Sequence, residues 1–273
     1  TFCIIPFGRG DSKSLPFLDI YKRVSSILEK GYSEIVLTGV DLTSYGHDLP
    51  GKPRLGNVLK RLLSLHPKLK RLRLSSIDPA EIDEDLMELL SKEKRLLPHL
   101  HLSIQSGDNM ILKRMKRRHN REQVISFCRK LKSLRPEFTF GADIIIGFPT
   151  ETEEHFLNTL KLIKLLNFSN VHVFPYSPKE GTPAAKMPQV DDKVKKIRAD
   201  ILRRESKKIL YKKLNKEIGK PTNILYESCK KSYTDQFFKV ELRKNKDHET
   251  EPGTILNVNI VSRKKDFLIA ELK

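Results

Sequence analysis

Between Leu18 and Val173 the chain switches repeatedly between two hydrophobic periods. Apolar residues recur every third or fourth position in Phe17 to Lys30, Gly56 to Leu65, Glu84 to Ser91, Arg121 to Leu134 and Glu153 to Leu166, which predicts amphipathic helices. Short apolar, β-branched runs lie between or after them: Glu34 to Thr38, Leu72 to Ser75, His101 to Ile104, Phe140 to Ile146 and Val171 to Phe174. Strands alternating with helices in this way predict an α/β fold built from βα units around a parallel sheet. At roughly 30 residues per unit, this stretch is too short for a complete eight-unit barrel. A partial parallel βα barrel or an open doubly wound sheet remains.

The pattern changes after Phe174. Pro175, Pro178, Gly181, Pro183 and Pro188 predict an extended connection, because proline fixes φ and removes a backbone donor. A basic helix follows, with Val194, Ile197, Ile201, Ile209, Leu210 and Leu214 near helical spacing, and Gly219-Lys-Pro221 stops it. Asn223 to Tyr226, Phe237 to Leu242, Ile255 to Val261 and Phe267 to Leu272 read as short strands of a small antiparallel barrel. The expected organisation is an α/β domain over residues 1–188, a basic connector helix over 189–213 and a small β domain over 214–273.

Composition adds a partner class. The 273 residues carry 52 Lys and Arg against 34 Asp and Glu, a net charge of +18. That excess predicts a polyanionic partner, foremost nucleic acid. Ten basic residues face one acid between Ile111 and Arg135, and twelve face five between Asp191 and Lys220. Such clusters form solvated helix faces or neutralise phosphates. Tyr233, Phe237 and Phe238 lie among lysines and are candidates for stacking on bases. No apolar run approaches the roughly 18 residues of a membrane span. Three scattered cysteines fit a reducing compartment, so a cytoplasmic protein without membrane association is expected.

In parallel α/β folds ligands bind where loops leave the carboxyl ends of the strands. Those ends read Thr38-Gly-Val-Asp41, Ser75-Ser-Ile-Asp78, Gln105-Ser-Gly107 and Gly147-Phe-Pro-Thr-Glu151. Gly39, Gly107 and Gly147 would admit a cofactor close to the backbone, while Asp41, Ser75, Gln105 and Glu151 offer polar atoms. Thr150 is a candidate cap for the helix that follows. Any one of these loops alone reads equally as an ordinary turn. Asp143 stands apart, because a carboxylate inside an apolar strand must be paired or face a polar cavity.

The segments Phe2-Cys-Ile-Ile-Pro-Phe-Gly-Arg-Gly10, Glu34-Ile-Val-Leu-Thr-Gly-Val-Asp41, Arg73-Leu-Ser-Ser-Ile-Asp-Pro79, His101-Leu-Ser-Ile-Gln-Ser-Gly107, Gly141-Ala-Asp-Ile-Ile-Ile-Gly-Phe-Pro-Thr-Glu151 and Phe174-Pro-Tyr-Ser-Pro178 resemble the radical S-adenosylmethionine tRNA methylthiotransferases. Within that family they are most similar to the branch acting on N6-threonylcarbamoyladenosine, and the β domain is similar to the family's RNA-binding TRAM domain. The resemblance implies a radical SAM core and a [4Fe–4S] cluster held by cysteines spaced C-x₃-C-x₂-C. It implies S-adenosyl-L-methionine on that cluster, and methylthiolation of carbon 2 of the adenine next to the anticodon. Cys3 matches the third cysteine as a metal ligand. Thr38, Gly39 and Asp41 match the segment facing the methionine moiety, and Ser75, Gln105 and Gly147 lie on strand ends lining the nucleoside side; Asp143, from its own place in an apolar strand, is a further site candidate.

The implied partners are the tRNA anticodon arm and an electron donor, with the chain a monomer. The other two cysteines of the triplet, the first barrel strand and an auxiliary-cluster domain are expected upstream of Thr1, so the cluster ligands in this chain are incomplete. Asp11-Ser-Lys-Ser-Leu15 also departs from the family pattern. Two rival readings stay open: a catalytically inactive tRNA-binding remnant, and a basic α/β enzyme for a phosphorylated metabolite.

Overall fold

The computed structural model describes residues 1–243 and 250–273. Its core carries the parallel strands β1 (Glu34–Leu37), β2 (Arg71–Leu74), β3 (His99–Gln105), β4 (Thr139–Ile146) and β5 (Asn170–Pro175). Ladders join β1 to β2, and β3 through β4 to β5. Between β2 and β3 the pairing narrows to bridges at Leu72–Leu96 and Ile77–Leu102. The result is a partial parallel barrel.

Helices α1 (Ile5–Arg9), α2 (Phe17–Glu29), α3 (Leu55–Leu65), α4 (Glu84–Lys92), α5 (Asn109–Met115), α6 (Arg121–Leu134) and α7 (Glu153–Leu166) accompany the strands. Several start where the sequence supplies an oxygen for orphaned N–H groups. Asp83 accepts from Leu86 N and Asp108 from Met110 N and Ile111 N. Asn120 with Gln123, and Thr152 with His155, form capping boxes. Thr152, not the expected Thr150, caps α7. Thr150 instead has φ 66° and accepts from Arg114 Nη1 at 2.7 Å.

Strand alternation divides the residues into two faces. Leu72, Leu74, Leu100, Leu102, Ile104, Phe140, Ala142, Ile144 and Val173 pack outward against α-helical leucines such as Leu59, Leu62 and Leu90 in one continuous core. The opposite positions are largely polar, Glu34, Thr38, Arg71, Arg73, Ser75, His99, His101, Gln105, Thr139, Asp143 and His172, with Val36, Ile145 and Phe174 as apolar exceptions. The barrel therefore has an apolar rind and a polar lumen.

Helix α8 (Asp192–Glu217) belongs to both halves of the molecule. Ala199 and Leu202 are buried in the α/β core, whereas Leu214 is buried in the core of the carboxyl-terminal barrel. That barrel comprises β6 (Pro221–Ser228), β7 (Lys231–Thr234), β8 (Lys239–Leu242), β9 (Ile255–Lys264) and β10 (Phe267–Leu272), closed in the order β10-β8-β7-β6-β9. The expected antiparallel barrel is in fact mixed, because β8 and β10 pair in parallel. Topology requires this: five strands in a closed ring cannot alternate in direction throughout. Strand β7 was absent from the sequence pattern because Lys231-Ser-Tyr-Thr234 has no apolar run.

The turn Asp235–Phe237 between β7 and β8 reaches into the barrel's amino-terminal mouth. Arg71 pairs with Asp235, Arg73 donates to the carbonyls of Asp235 (2.9 Å) and Thr234 (2.8 Å), and Thr139 donates to that of Gln236 (2.9 Å). Phe237, at φ 65°, is stacked between His99 (5.3 Å) and Tyr233 (4.9 Å), with the Arg73 guanidinium 5.0 Å from its ring. These contacts correct the expectation of base stacking. Phe237, though 39% exposed, packs on His99 and Arg73 of the core domain, Tyr233 stacks on Phe237, and Phe238 is buried inside the small barrel.

Candidate functional site

The lumen is layered. At its floor, Glu34 accepts from Arg71 Nε (2.7 Å) and Arg73 Nε (2.8 Å), and both arginines are almost fully buried. One carboxylate between two guanidiniums, with Asp235 added from the plug, keeps the charges compensated. Beside them His99 faces Thr139 Oγ1 at 2.8 Å. Burial, then the charges of Arg73, His101 and Lys213, push its pKa down to about 3, so the ring is neutral near pH 7.

One turn of pleat higher, β3, β4 and β5 bring His101, Asp143 and His172 together. His101 Nε2 and His172 Nδ1 lie 2.9 and 3.1 Å from the same Asp143 oxygen. A carboxylate oxygen only accepts, so each ring carries its proton on that nitrogen. The two rings are 4.6 Å apart. Gly141 makes room for them, since a Cβ there would sit 2.6 Å from His101 Nδ1. Burial alone would raise the Asp143 pKa, but the bond from His101 and the charges of both histidines hold it below the usual carboxylate range. The three side chains offer ligand atoms within 4.8 Å of one another, a set that can bind a proton, a polar substrate group or a divalent cation.

At the carboxyl ends, Thr38, Gly39 and Asp41 border a cavity of 1070 Å³ shared with α1, α2 and the segment between them. The Asp41 carboxylate accepts from Arg118 Nη2 at 3.0 Å and from Thr43 at 3.3 Å. Ser75 Oγ is buried without a hydrogen-bond partner among the described residues. Gln105 closes β3 with φ 70°. Asp78, in the loop after β2, holds a second network: it accepts from Arg117 (2.7 Å) and His119 Nδ1 (3.0 Å), while His119 Nε2 faces the Ile104 carbonyl at 3.1 Å.

Some expected site residues turn elsewhere. Gly147 (φ 69°) is required by its backbone, and a Cβ there would meet Lys195 Cγ at 2.3 Å. Gly107 abuts the Thr159 backbone of α7, 2.6 Å from where its Cβ would lie. Glu151 is buried, accepting from Gly147 N (3.0 Å) and Arg198 (2.9 Å), which ties α8 to the β4 loop. Its burial outweighs both partners and pushes its pKa up to about 7.

Sequence reasoning missed His101 and His172 as lumen residues. The available signal was their period-2 alternation with apolar neighbours in His-Leu-His-Leu102 and Val-His-Val173, the pattern of a strand with two different faces.

A partial parallel barrel with a polar lumen and a large cavity at its strand ends defines a class: α/β barrel enzymes that bind ligand at the carboxyl face. Residues 1–163 match the family model "Radical SAM superfamily", and the chain belongs to that superfamily. It is 54% identical over 244 residues to the threonylcarbamoyladenosine tRNA methylthiotransferase MtaB of Rickettsia prowazekii, covering 89% of this chain and 58% of that protein. With the MtaB protein of Bacillus subtilis it shares 37% identity over 271 residues, covering 96% of this chain and 59% of the other. The chain thus spans under two thirds of the length of these curated relatives. Among solved structures, the coproporphyrinogen III oxidase HemN of Escherichia coli, described as a radical SAM enzyme, aligns with TM-score 0.50 and 18% identity over 69% of this chain and 45% of its own. That likeness concerns the fold.

Superfamily membership implies an iron–sulfur cluster and S-adenosylmethionine. Protein-bound clusters require several thiolates. Cys3 is exposed in the segment preceding α1, but Cys128 is buried in α6 with its thiol pushed up by burial, and Cys229 sits in the small barrel 3.3 Å from the Tyr226 hydroxyl. The three cysteines lie in separate elements, and together they do not form a cluster-binding thiolate set.

Proposed function

We propose that this chain is the barrel and RNA-binding portion of a tRNA methylthiotransferase that modifies carbon 2 of N6-threonylcarbamoyladenosine beside the anticodon. The observation that carries this reading is the 54% identity to the Rickettsia prowazekii protein of that description across 89% of the chain. The net charge of +18 supports a polyanionic substrate. In this reading Cys3 is a cluster ligand, and Thr38, Gly39 and Asp41, which border the strand-end cavity, face S-adenosylmethionine. Ser75, Gln105 and Asp143, the last clamped by His101 and His172, face the modified nucleoside in the lumen. An electron donor and the tRNA anticodon arm are the partners. Among the described residues no helix is long and apolar enough to cross a membrane.

The test is nucleoside mass spectrometry of tRNA from cells in which the corresponding gene is disrupted. The expected result is loss of the 2-methylthio derivative of N6-threonylcarbamoyladenosine with accumulation of its unthiolated precursor. An unchanged nucleoside profile overturns the proposal.

A further inference from the structure

A second cavity, of 760 Å³, lies where α6, the carboxyl-terminal half of α8 and the small barrel meet. Lys132, Lys213, Lys216 and Lys220 converge on it, with Thr139 and Gln236 at its inner edge. On α8, Lys195 pairs with Asp192 and Lys208 with Glu205, whereas among the described residues Lys193, Lys196 and Lys207 form no ion pair. Of the two carboxylates lining the cavity, Glu137 is taken by Arg135 and Glu217 by Lys220. Among the described residues, Lys132, Lys213 and Lys216 have no carboxylate within ion-pair distance. Lys132 donates to the Pro136 carbonyl at 3.0 Å, and Lys213 reaches only the Ser169 hydroxyl at 3.4 Å.

We propose that this lysine cleft binds backbone phosphates of the RNA substrate, an assignment that rests on the tRNA reading above. Collecting unpaired ammonium groups, with Lys132 and Lys213 partly buried and Lys216 exposed beside them, is unfavourable, and a fold that needed only to fill the space would use an apolar or amide side chain. Phosphodiester oxygens supply the missing countercharge, and the opening between two domains suits an extended backbone better than a small enclosed metabolite. The surroundings agree. Burial, then Lys132 and Lys216, depress the Lys213 pKa to about 7. The other charged groups facing it are Lys212, Glu217 and Lys220 from α8 and its end, and Glu137 beyond α6, while the nearby His99 is neutral. A bound anion reverses that depression, so RNA affinity weakens as pH rises through about 7 and Lys213 loses its proton.

The experiment measures anisotropy of a labelled anticodon stem-loop RNA titrated with the full chain across a salt series. It compares wild type, Lys213→Gln/Lys216→Gln and Lys213→Arg. For the double variant the slope of log affinity against log salt becomes shallower by about one unit per lysine removed. Its melting temperature stays equal or rises, because unpaired charges have been removed. Lys213→Arg retains RNA affinity and loses the extra pH dependence between about pH 6 and about pH 8.5. Wild-type and double-variant slopes that coincide overturn this assignment alone, whereas failure of the wild type to bind RNA overturns the tRNA reading itself. Inorganic phosphate is the second arm: full competition at low millimolar phosphate would make the cleft a free-phosphate site and refute an RNA-backbone role.

Discussion

Two buried groups titrate in opposite senses across the same acidic window, and separating them tests the electrostatics of the barrel. His99 has a folded pKa of about 3 against an unfolded value near 6.5. Below pH 6.5 the unfolded chain takes up a proton that the folded chain refuses, so its contribution is present above 6.5 and lost as pH falls toward 3. Glu151 is displaced the other way, to about 7 against 4.5 unfolded. As pH falls from 7 to 4.5 the folded carboxyl binds a proton first, so folding gains. Each effect has a slope of up to about 1.4 kcal/mol per pH unit. Across the shared window of about two units each amounts to about 3 kcal/mol, and their signs cancel. The carboxylates held low, Asp78, Asp108 and Asp143 among them, lose their contributions as pH falls through the ordinary carboxylate range, at and below the acidic edge of this window, and Lys213 acts above pH 7. Wild-type stability, measured by urea unfolding followed by circular dichroism, is therefore expected to be nearly flat through this window. His99→Gln leaves the Glu151 slope exposed, and stability rises by about 3 kcal/mol on acidification. Glu151→Gln leaves the His99 slope exposed, and stability falls by a similar amount. Profiles of both variants parallel to wild type would refute the assignment of either shift to burial in the folded state.

Removing the floor carboxylate with Glu34→Ala strands Arg73 and leaves Arg71 only Asp235, and it is expected to cost about 3 to 5 kcal/mol in urea unfolding, much more than Glu34→Gln. Gly141→Ala places a methyl 2.6 Å from His101 Nδ1 and 2.7 Å from the Asn170 carbonyl, so it displaces the imidazole from Asp143. A loss of about 1 to 3 kcal/mol is expected, with a changed His101 ring signal by NMR. Native-state alkylation followed by mass spectrometry labels the exposed Cys3 within minutes and leaves Cys128 unmodified until denaturant is added, because burial keeps the latter protonated and inaccessible.

Much of the architecture was legible in the chain. Every core strand was marked by an apolar run, and α2, α3, α4, α6 and α7 by 3.6-residue periodicity, because those patterns are local consequences of one face meeting a core. Short elements escaped: α1 and α5 have too few turns to show a period, and β7 has no apolar run. For the site, glycine was an ambiguous guide: Gly39 borders the strand-end cavity, whereas Gly107 and Gly147 adjoin other elements. Gly107 and Gly147 are small because α7 and Lys195 press against them, and a glycine that admits a ligand reads the same in sequence as one that admits a neighbouring element. The aromatic residues of the small barrel misled for a similar reason. Their place among lysines suggested base stacking, but the turn that carries Phe237 packs against the core domain's mouth.

By itself, the sequence determined the order and type of most elements, the strongly basic charge and the motifs that place the chain in its superfamily. Each of these is a property of adjacent residues or of simple sums over them. Tertiary structure alone decided which side chains meet. Asp143 was conspicuous as a charge in an apolar strand, but its partners lie 42 and 29 positions away on flanking strands and reach it only because β3, β4 and β5 pair in parallel register. The lysine cleft likewise brings Lys132 of α6 to Lys213 of α8, more than 80 positions on, and exists only because α8 is anchored in both cores. Periodicity says which face of an element is buried. Strand order, register and domain docking decide what that face is buried against, and they are settled by the free energy of the whole packed chain.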